Sequence, residues 1–392
     1  MLDLEEALNL FKDIDFQMPT EEVILKNSHN RVLAQDILSD IDIPPFDKSA
    51  MDGYACRKAD LNIELKVTGT IHAGEEHGYT VRPGTCIKIM TGASLPKGAD
   101  TVIIFEDTME SGKDMIRFLK TGSKSNICYQ GEDVKKSETV LRKGTLLLPH
   151  HIGILASVGA TRILVYSLPG IALISTGSEL VEPDIAPGES KIRNSNAYNL
   201  MAQLGRMGIE PYYAGIVHDD PETLKSIINK LVPKNDILIL TGGASAGEHD
   251  YVPGVLENSG LKIFFNRIAI QPGKPVSFAG GKNKFCFGLS GNPVSSYLQF
   301  ELLVKPFIYK IMGYSYKYPT IITQLVNPIN RKKADRLKFF PVRFTPDHKA
   351  EEIKFNGSAH IAGLVEADGF GLFPKNIEII KSGESIEVLL IK

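Results

Sequence analysis

The chain has 392 residues, 43% of them hydrophobic and 23% charged, with a formal net charge of −2. That balance reads as a soluble globular protein of roughly two to four domains. A near-neutral chain without long runs of like charge argues against nucleic acid as a partner, and no apolar run is long enough to cross a bilayer.

The acidic, amphipathic start Met1-Leu-Asp-Leu-Glu-Glu6 is wrong for a secretory signal. Cys56, Cys86, Cys128 and Cys286 lack C-x-x-C spacing and read as free thiols of a cytoplasmic protein. Residues 1–38 are expected to form two helices: an apolar stripe of Leu2, Leu4, Ala7, Leu8 and Phe11, then a second helix from Glu21 capped by Thr20. After Pro44-Pro45 come short β-like runs, Leu65–Thr68, Cys86–Met90 and Thr101–Phe105, as in a small β-rich domain. Residues 145–158 return to helical spacing. If they pack on the N-terminal helices, the β-rich part is an insertion.

From Gly170 to about Gly313 strands and helices alternate, which predicts a doubly wound parallel sheet. Asp220 and Asn292 are expected helix caps, each followed by proline, and the last helix of this region runs toward Pro306. From Tyr314 the pattern is β again: Ile321–Val326, Phe339–Phe344, Gly371–Phe373 and Ile386–Ile391. This predicts a small all-β C-terminal domain.

Ligands of open α/β sheets bind beyond the carboxyl ends of the strands. Three such ends carry glycine and hydroxyl groups: Thr176-Gly177, Thr241-Gly242-Gly243 with Ser245 and Gly247, and Ser290-Gly291-Asn292-Pro293. Helix starts present unpaired N–H groups and favour anions. Between the last two turns lies Gln271-Pro-Gly-Lys274-Pro, a lysine on a stiff loop, with Arg267 upstream as a second cation. These features suggest a phosphorylated ligand. The acids Glu179, Asp219, Glu248 and Asp250 follow the same strand ends and would repel phosphate unless a hard cation such as Mg²⁺ lies between them. No turn is a P-loop or a G-x-G-x-x-G fingerprint, and neither zinc-ligand histidine spacing nor a G-x-S-x-G elbow occurs. In the β-rich part, Pro45-Phe-Asp-Lys-Ser-Ala-Met-Asp52-Gly-Tyr-Ala55 interleaves acids with apolar residues, Thr91-Gly-Ala-Ser-Leu-Pro96 is rich in hydroxyls, and Gly131-Glu-Asp133 adds two acids.

Taken in order, Asp47–Ala55, Thr91–Pro96, Gly131–Val134, Ser175–Leu180, Thr241–Tyr251, Pro272–Pro275, Ser290–Ser295 and Gly357-Ser358 resemble the MoeA family, the molybdopterin molybdenumtransferases, whose relatives include the gephyrin E domain. The resemblance implies a multidomain α/β and β protein. Its parts are a discontinuous linker domain of helices and strands (1–43 with 137–168), an inserted β-rich domain (44–136), a doubly wound MogA-like α/β domain (169–313) and a C-terminal β-barrel (314–392). It implies insertion of molybdenum from molybdate into adenylylated molybdopterin with release of AMP, assisted by Mg²⁺, in a homodimer. The site then lies between the doubly wound domain of one subunit and the β-rich domain of the other. The molybdopterin adenylyltransferase and cofactor-accepting enzymes are implied as further partners.

Residues carried over by motif are Asp52, Thr91, Asp133, Asp219 and Lys274 as catalytic, Glu179, Asp219 and Asp250 as metal ligands, and Ser358 as ligand-binding. Two positions depart from the family pattern: Gln271, where lysine is common and which Arg267 is expected to offset, and Ser178, where aspartate is common. The alternatives are a molybdopterin adenylyltransferase, which shares the doubly wound domain, and a non-catalytic binding or scaffold member of the family.

Overall fold

The computed structural model describes residues 1–120, 122, 124–242, 252–354 and 357–391. Helix α1 (Leu4–Lys12) buries Ala7 and Phe11. The Phe11 ring lies 4.9 Å from Phe278 and 5.1 Å from Phe307, so α1 packs on the α/β core. The next segment corrects the expected second helix: Thr20–Ile24 is strand β1. Thr-Glu-Glu suits a helix start as well as a strand, and the choice is made by a distant pairing that no local pattern encodes.

The chain then builds a six-stranded sheet from β2 (Gly53–Cys56), β3 (Leu65–Ile71), β4 (Thr85–Ile89), β5 (Thr101–Ile104), β6 (Thr108–Gly112) and β7 (Met115–Phe118), in the order β5-β2-β4-β3-β7-β6. It returns as α2 (Pro149–Ser157) and β8 (Arg162–Tyr166). Strand β8 pairs antiparallel with β1, Thr20 opposite Tyr166, and Val32 bridges Leu146. Leu33, Ile37, Leu155 and Ile163 form the small core beneath. Residues 145–158 thus pack on the 20–43 segment, while α1 belongs to a different core.

The α/β region runs β9 (Ile171–Thr176), α3 (Ser195–Gly205), β10 (Tyr212–Val217), α4 (Pro221–Leu231), β11 (Ile237–Thr241), α5 (Val252–Asn258), β12 (Lys262–Arg267), β13 (Ile270–Gln271), β14 (Pro275–Gly281), β15 (Lys284–Leu289) and α6 (Pro293–Gln299). Its six-stranded sheet has the order β10-β9-β11-β15-β14-β12. Every residue of β9 and β11 is buried, as expected for central strands covered on both faces. The expectation of a parallel sheet is corrected at one edge: β10, β9, β11 and β15 are parallel, but β14 is reversed and pairs antiparallel with both β15 and β12. Lys282 and Asn283, both at positive φ, make the tight hairpin that reverses the chain between β14 and β15.

Helix α6 does not stop at Pro306. A π-helical turn (Phe300–Val304) leads directly into α7 (Lys305–Ile311), and the widened turn accommodates Pro306, which has no N–H to give.

The C-terminal part holds β16 (Thr320–Gln324), β17 (Leu337–Phe344), β18 (Ala350–Glu352), β19 (Gly369–Phe373) and β20 (Ser385–Leu390). The sheet order is β13-β17-β19-β20-β16, with β18 also on β17, and a bridge from Leu325 to Ala350 joins the far edge back to β18, closing the barrel. Strand β13 therefore ties the α/β region to the barrel, with Gln271 opposite Lys338. No helix among the described residues is long and apolar enough to cross a membrane.

Candidate functional site

The three glycine-rich strand ends converge. Gly242 has φ 95°, and a Cβ there would lie 2.0 Å from the Thr176 carbonyl oxygen, so only glycine fits. Its N–H donates to Leu289 O at 3.1 Å, and a Cβ on Gly291 would meet Gly242 Cα at 3.5 Å. Above them lies a cavity of about 300 Å³ walled by Thr176, Glu179, Asn194, Asn196, Thr241, Gly242, Gly291, Asn292 and Pro293. Asn196 Nδ2 donates to Thr241 Oγ1 at 2.9 Å and to Gly291 O at 2.8 Å. Its Oδ1, like Thr176 Oγ1, is buried without a hydrogen-bond partner among the described residues. Two unsatisfied polar atoms in one cavity wall mark a ligand surface, since a buried polar group left unpaired costs about 1–3 kcal/mol.

The acids at its mouth are exposed. Ser178 N–H donates to Asp219 Oδ2 at 3.0 Å, which sets Asp219 beside the turn carrying Glu179 and Gly177. Gly243, Ser245, Gly247, Glu248 and Asp250 lie outside the described residues. Among the described residues no three Asp, Glu, His or Cys side chains are grouped closely enough to hold a metal ion. Asp220 is a helix cap as expected: Thr223 N–H donates to it at 2.8 Å, and the Thr223 hydroxyl and N–H hold its carboxyl below the usual range.

A second cavity, of about 350 Å³, shares Asn292 with the first. Among the described residues its wall holds Gln271, Lys274, Ser290, Ser295, Arg336, Lys338 and Ser358, with three cations and no acid. Gln299, fully buried, fixes its shape. Its Nε2 donates to Gly273 O and Pro275 O, both at 2.8 Å, and its Oε1 accepts from Ser290 N–H at 2.8 Å. One side chain thus clamps the lysine loop to the Ser290 turn.

Two expectations are corrected here. Arg267 is exposed and outside this wall, because its strand β12 is the sheet edge. Asn292 sits at the cap position of α6 but its side chain does not cap; the Val294 N–H donates instead to Ser358 O at 3.1 Å.

In the β-rich part, Asp52 Oδ1 accepts from the Thr91 N–H and hydroxyl, both at 2.7 Å. The backbone bond and then the hydroxyl bond hold this exposed carboxyl below its ordinary pKa. Asp133 is exposed, and its N–H donates to Ile43 O at 3.0 Å. Among the described residues no hydrogen bond joins Asp52 or Thr91 to either cavity of the same chain.

The sequence pattern does not single out Asn194, Asn196, Gln299, Arg336 or Lys338. Asn194 is within its reach: Asn-Ser-Asn before an apolar helical run signals a cap, and its side chain accepts from Ala197 N–H at 3.3 Å.

Comparison with known proteins places these features in one family. The chain matches the MoeA N-terminal region (domain I and II) over residues 2–159, a probable molybdopterin binding domain over residues 172–310, and the MoeA C-terminal region (domain IV) over residues 329–391. The molybdopterin molybdenumtransferase of Staphylococcus aureus (strain Mu50) is 33% identical over 400 aligned positions, covering 99% of this chain and 95% of that protein. The protein of the same name from Staphylococcus epidermidis (strain RP62A) is 33% identical with the same coverage. A solved structure of the molybdopterin biosynthesis moeA protein from Pyrococcus horikoshii OT3 is 32% identical, covers 100% of both chains and superposes with a TM-score of 0.84. The chain belongs to the MoeA family of molybdopterin molybdenumtransferases, enzymes that insert molybdenum in molybdenum cofactor biosynthesis.

Proposed function

We propose that the molybdopterin enters in adenylylated form and that metal insertion is coupled to cleavage of its phosphoanhydride, with AMP released. The observation that carries this reading is the pair of adjoining cavities that meet at Asn292. One offers unsatisfied hydrogen-bonding groups beside acids, as an adenylylated pterin with a bound cation needs. The other offers cations without acids, as an oxyanion such as molybdate needs.

Glu179 and Asp219 supply hard oxygen donors at the mouth of the first cavity and suit Mg²⁺; with Asp250 they would hold it. When bound, the ion supplies charge that offsets the phosphoanhydride oxygens. Lys274, held by the Gln299 clamp, offsets charge that develops on the departing phosphate without having to reorganise. Asn196 and Thr176 orient the ligand through their unpaired oxygens. Asp52, Thr91 and Asp133 complete the site from a second copy of the chain. The Thr91 hydrogen bonds keep Asp52 ionised, so it serves as an acceptor or base. The reaction takes place in the cytoplasm, from which the product passes to cofactor-accepting enzymes.

The test is direct. Purified protein with adenylyl-molybdopterin, Mg²⁺ and molybdate should release AMP; no AMP would contradict the reading. Pyrophosphate from free molybdopterin and ATP without molybdate would favour adenylylation instead.

A further inference from the structure

The second cavity has one feature that the proposed reaction leaves unassigned. Strand β13 brings Gln271 to its wall, and the register of β13 on β17 sets Lys338 opposite that glutamine. Lys338 also lines the cavity, on the barrel side, while Lys274 lines it from the α/β side. Among the described residues neither lysine forms an ion pair or a side-chain hydrogen bond. Arg336, the third cation, has its Nε 3.5 Å from the exposed Asp335 carboxylate and without a hydrogen-bond partner among the described residues. The Lys338 ammonium lies 5.9 Å from the ring centroids of both Phe340 and Phe373, so two aromatic faces support the side chain. Burial raises the pKa of Glu352, against the nearby charges of Lys338 and Lys354, which lower it, so Glu352 lies within electrostatic reach of Lys338 without forming an ion pair with it.

Two unpaired ammonium groups around one cavity repel each other and gain stability when an anion binds between them. Gln271 contributes a neutral amide at the position where a third such charge would stand.

We infer that Lys338 supplies, from the barrel, the oxyanion-binding charge that Gln271 lacks, so that molybdate is held between Lys274 and Lys338. The inference rests on the proposed role of this cavity. It makes Lys338 a determinant of molybdate affinity that position 271 can replace: a lysine at 271 and a lysine at 338 are alternative sources of one charge across a paired strand.

Isothermal titration of molybdate into the full chain tests this, with thermal unfolding as a check of fold. Lys338→Met should weaken molybdate binding roughly tenfold, since a charge-assisted hydrogen bond is lost. Gln271→Lys in the Lys338→Met background should restore most of that affinity. Lys349→Met, which removes the same charge from the barrel surface outside the cavity, should leave binding unchanged. Unaltered binding by Lys338→Met, or no rescue by Gln271→Lys in a folded double variant, would overturn the assignment while leaving the oxyanion reading intact. If the unaltered chain binds no molybdate, the reading of the cavity fails, and the Lys338 assignment with it.

Discussion

Around the α/β sheet, the ligand-facing groups are held by buried hydrogen bonds and close backbone contact, whereas Asp52 and Thr91 are exposed and join two turns 39 residues apart in the sequence. Gly242 admits no side chain, and Gln299 satisfies three backbone groups at once. In the β-rich region one oxygen of the exposed Asp52 carboxylate takes two donors of Thr91, above backbone bonds between Ser49 and Gly92 and Ala93. A preorganised wall and an exposed acid joining two turns suit different tasks. The first fixes a ligand, and the second is ready to meet a surface supplied from elsewhere.

Substitutions should separate the two regions. The largest effect is expected for Gly242→Ala, where the positive φ and the clash with Thr176 O combine to cost about 3 kcal/mol or more, read by chemical unfolding, with activity lost as well. Gln299→Leu should follow, at about 2–4 kcal/mol, because it leaves the Gly273 and Pro275 carbonyls and the Ser290 N–H buried and unpaired. Its kinetic signature should be a raised KM for molybdate, because the Lys274 loop is no longer tied to Ser290. Asp52→Ala should reverse the pattern: turnover disappears while stability stays within about 0.5 kcal/mol. Marked unfolding of that variant would make Asp52 a structural residue and erase the contrast.

The smallest expected effect concerns titration. Thr91 donates to the charged form of Asp52, so the stabilisation is present above the unfolded-state pKa and is lost as pH falls through the lower folded-state value. Thr91→Val should move the Asp52 pKa up toward its ordinary range, as read by carboxyl NMR titration. An unmoved value would mean that the backbone N–H alone sets it.

Much of the α/β site is legible in the sequence because its ligand-facing residues sit in short strings at strand ends. Thr176-Gly177, Thr241-Gly242 and Ser290-Gly291 can be assigned to a doubly wound sheet from local pattern, since buried strands and tight turns leave local signatures. Three features leave no such mark. Thr20–Ile24 becomes a strand through pairing with residues 162–166. Gln299 looks like any helix residue until the loop it clamps is in place. Arg336 and Lys338 reach the cavity because β17 lies beside β13, a contact between two domains. Arg267 lies four residues before Gln271 along the chain, but strand pairing puts Lys338 opposite Gln271 instead.

We propose that the two regions complete one site across two copies of the chain, and mixing inactive variants tests this most directly. Asp52→Ala and Lys274→Met should each be inactive alone. When they are unfolded and refolded together, random pairing in a two-fold dimer should restore about a quarter of the unaltered AMP-release activity, since half of the dimers carry one intact composite site. No recovery from a mixture shown to contain mixed dimers would place both residues in the same chain's site and contradict the account.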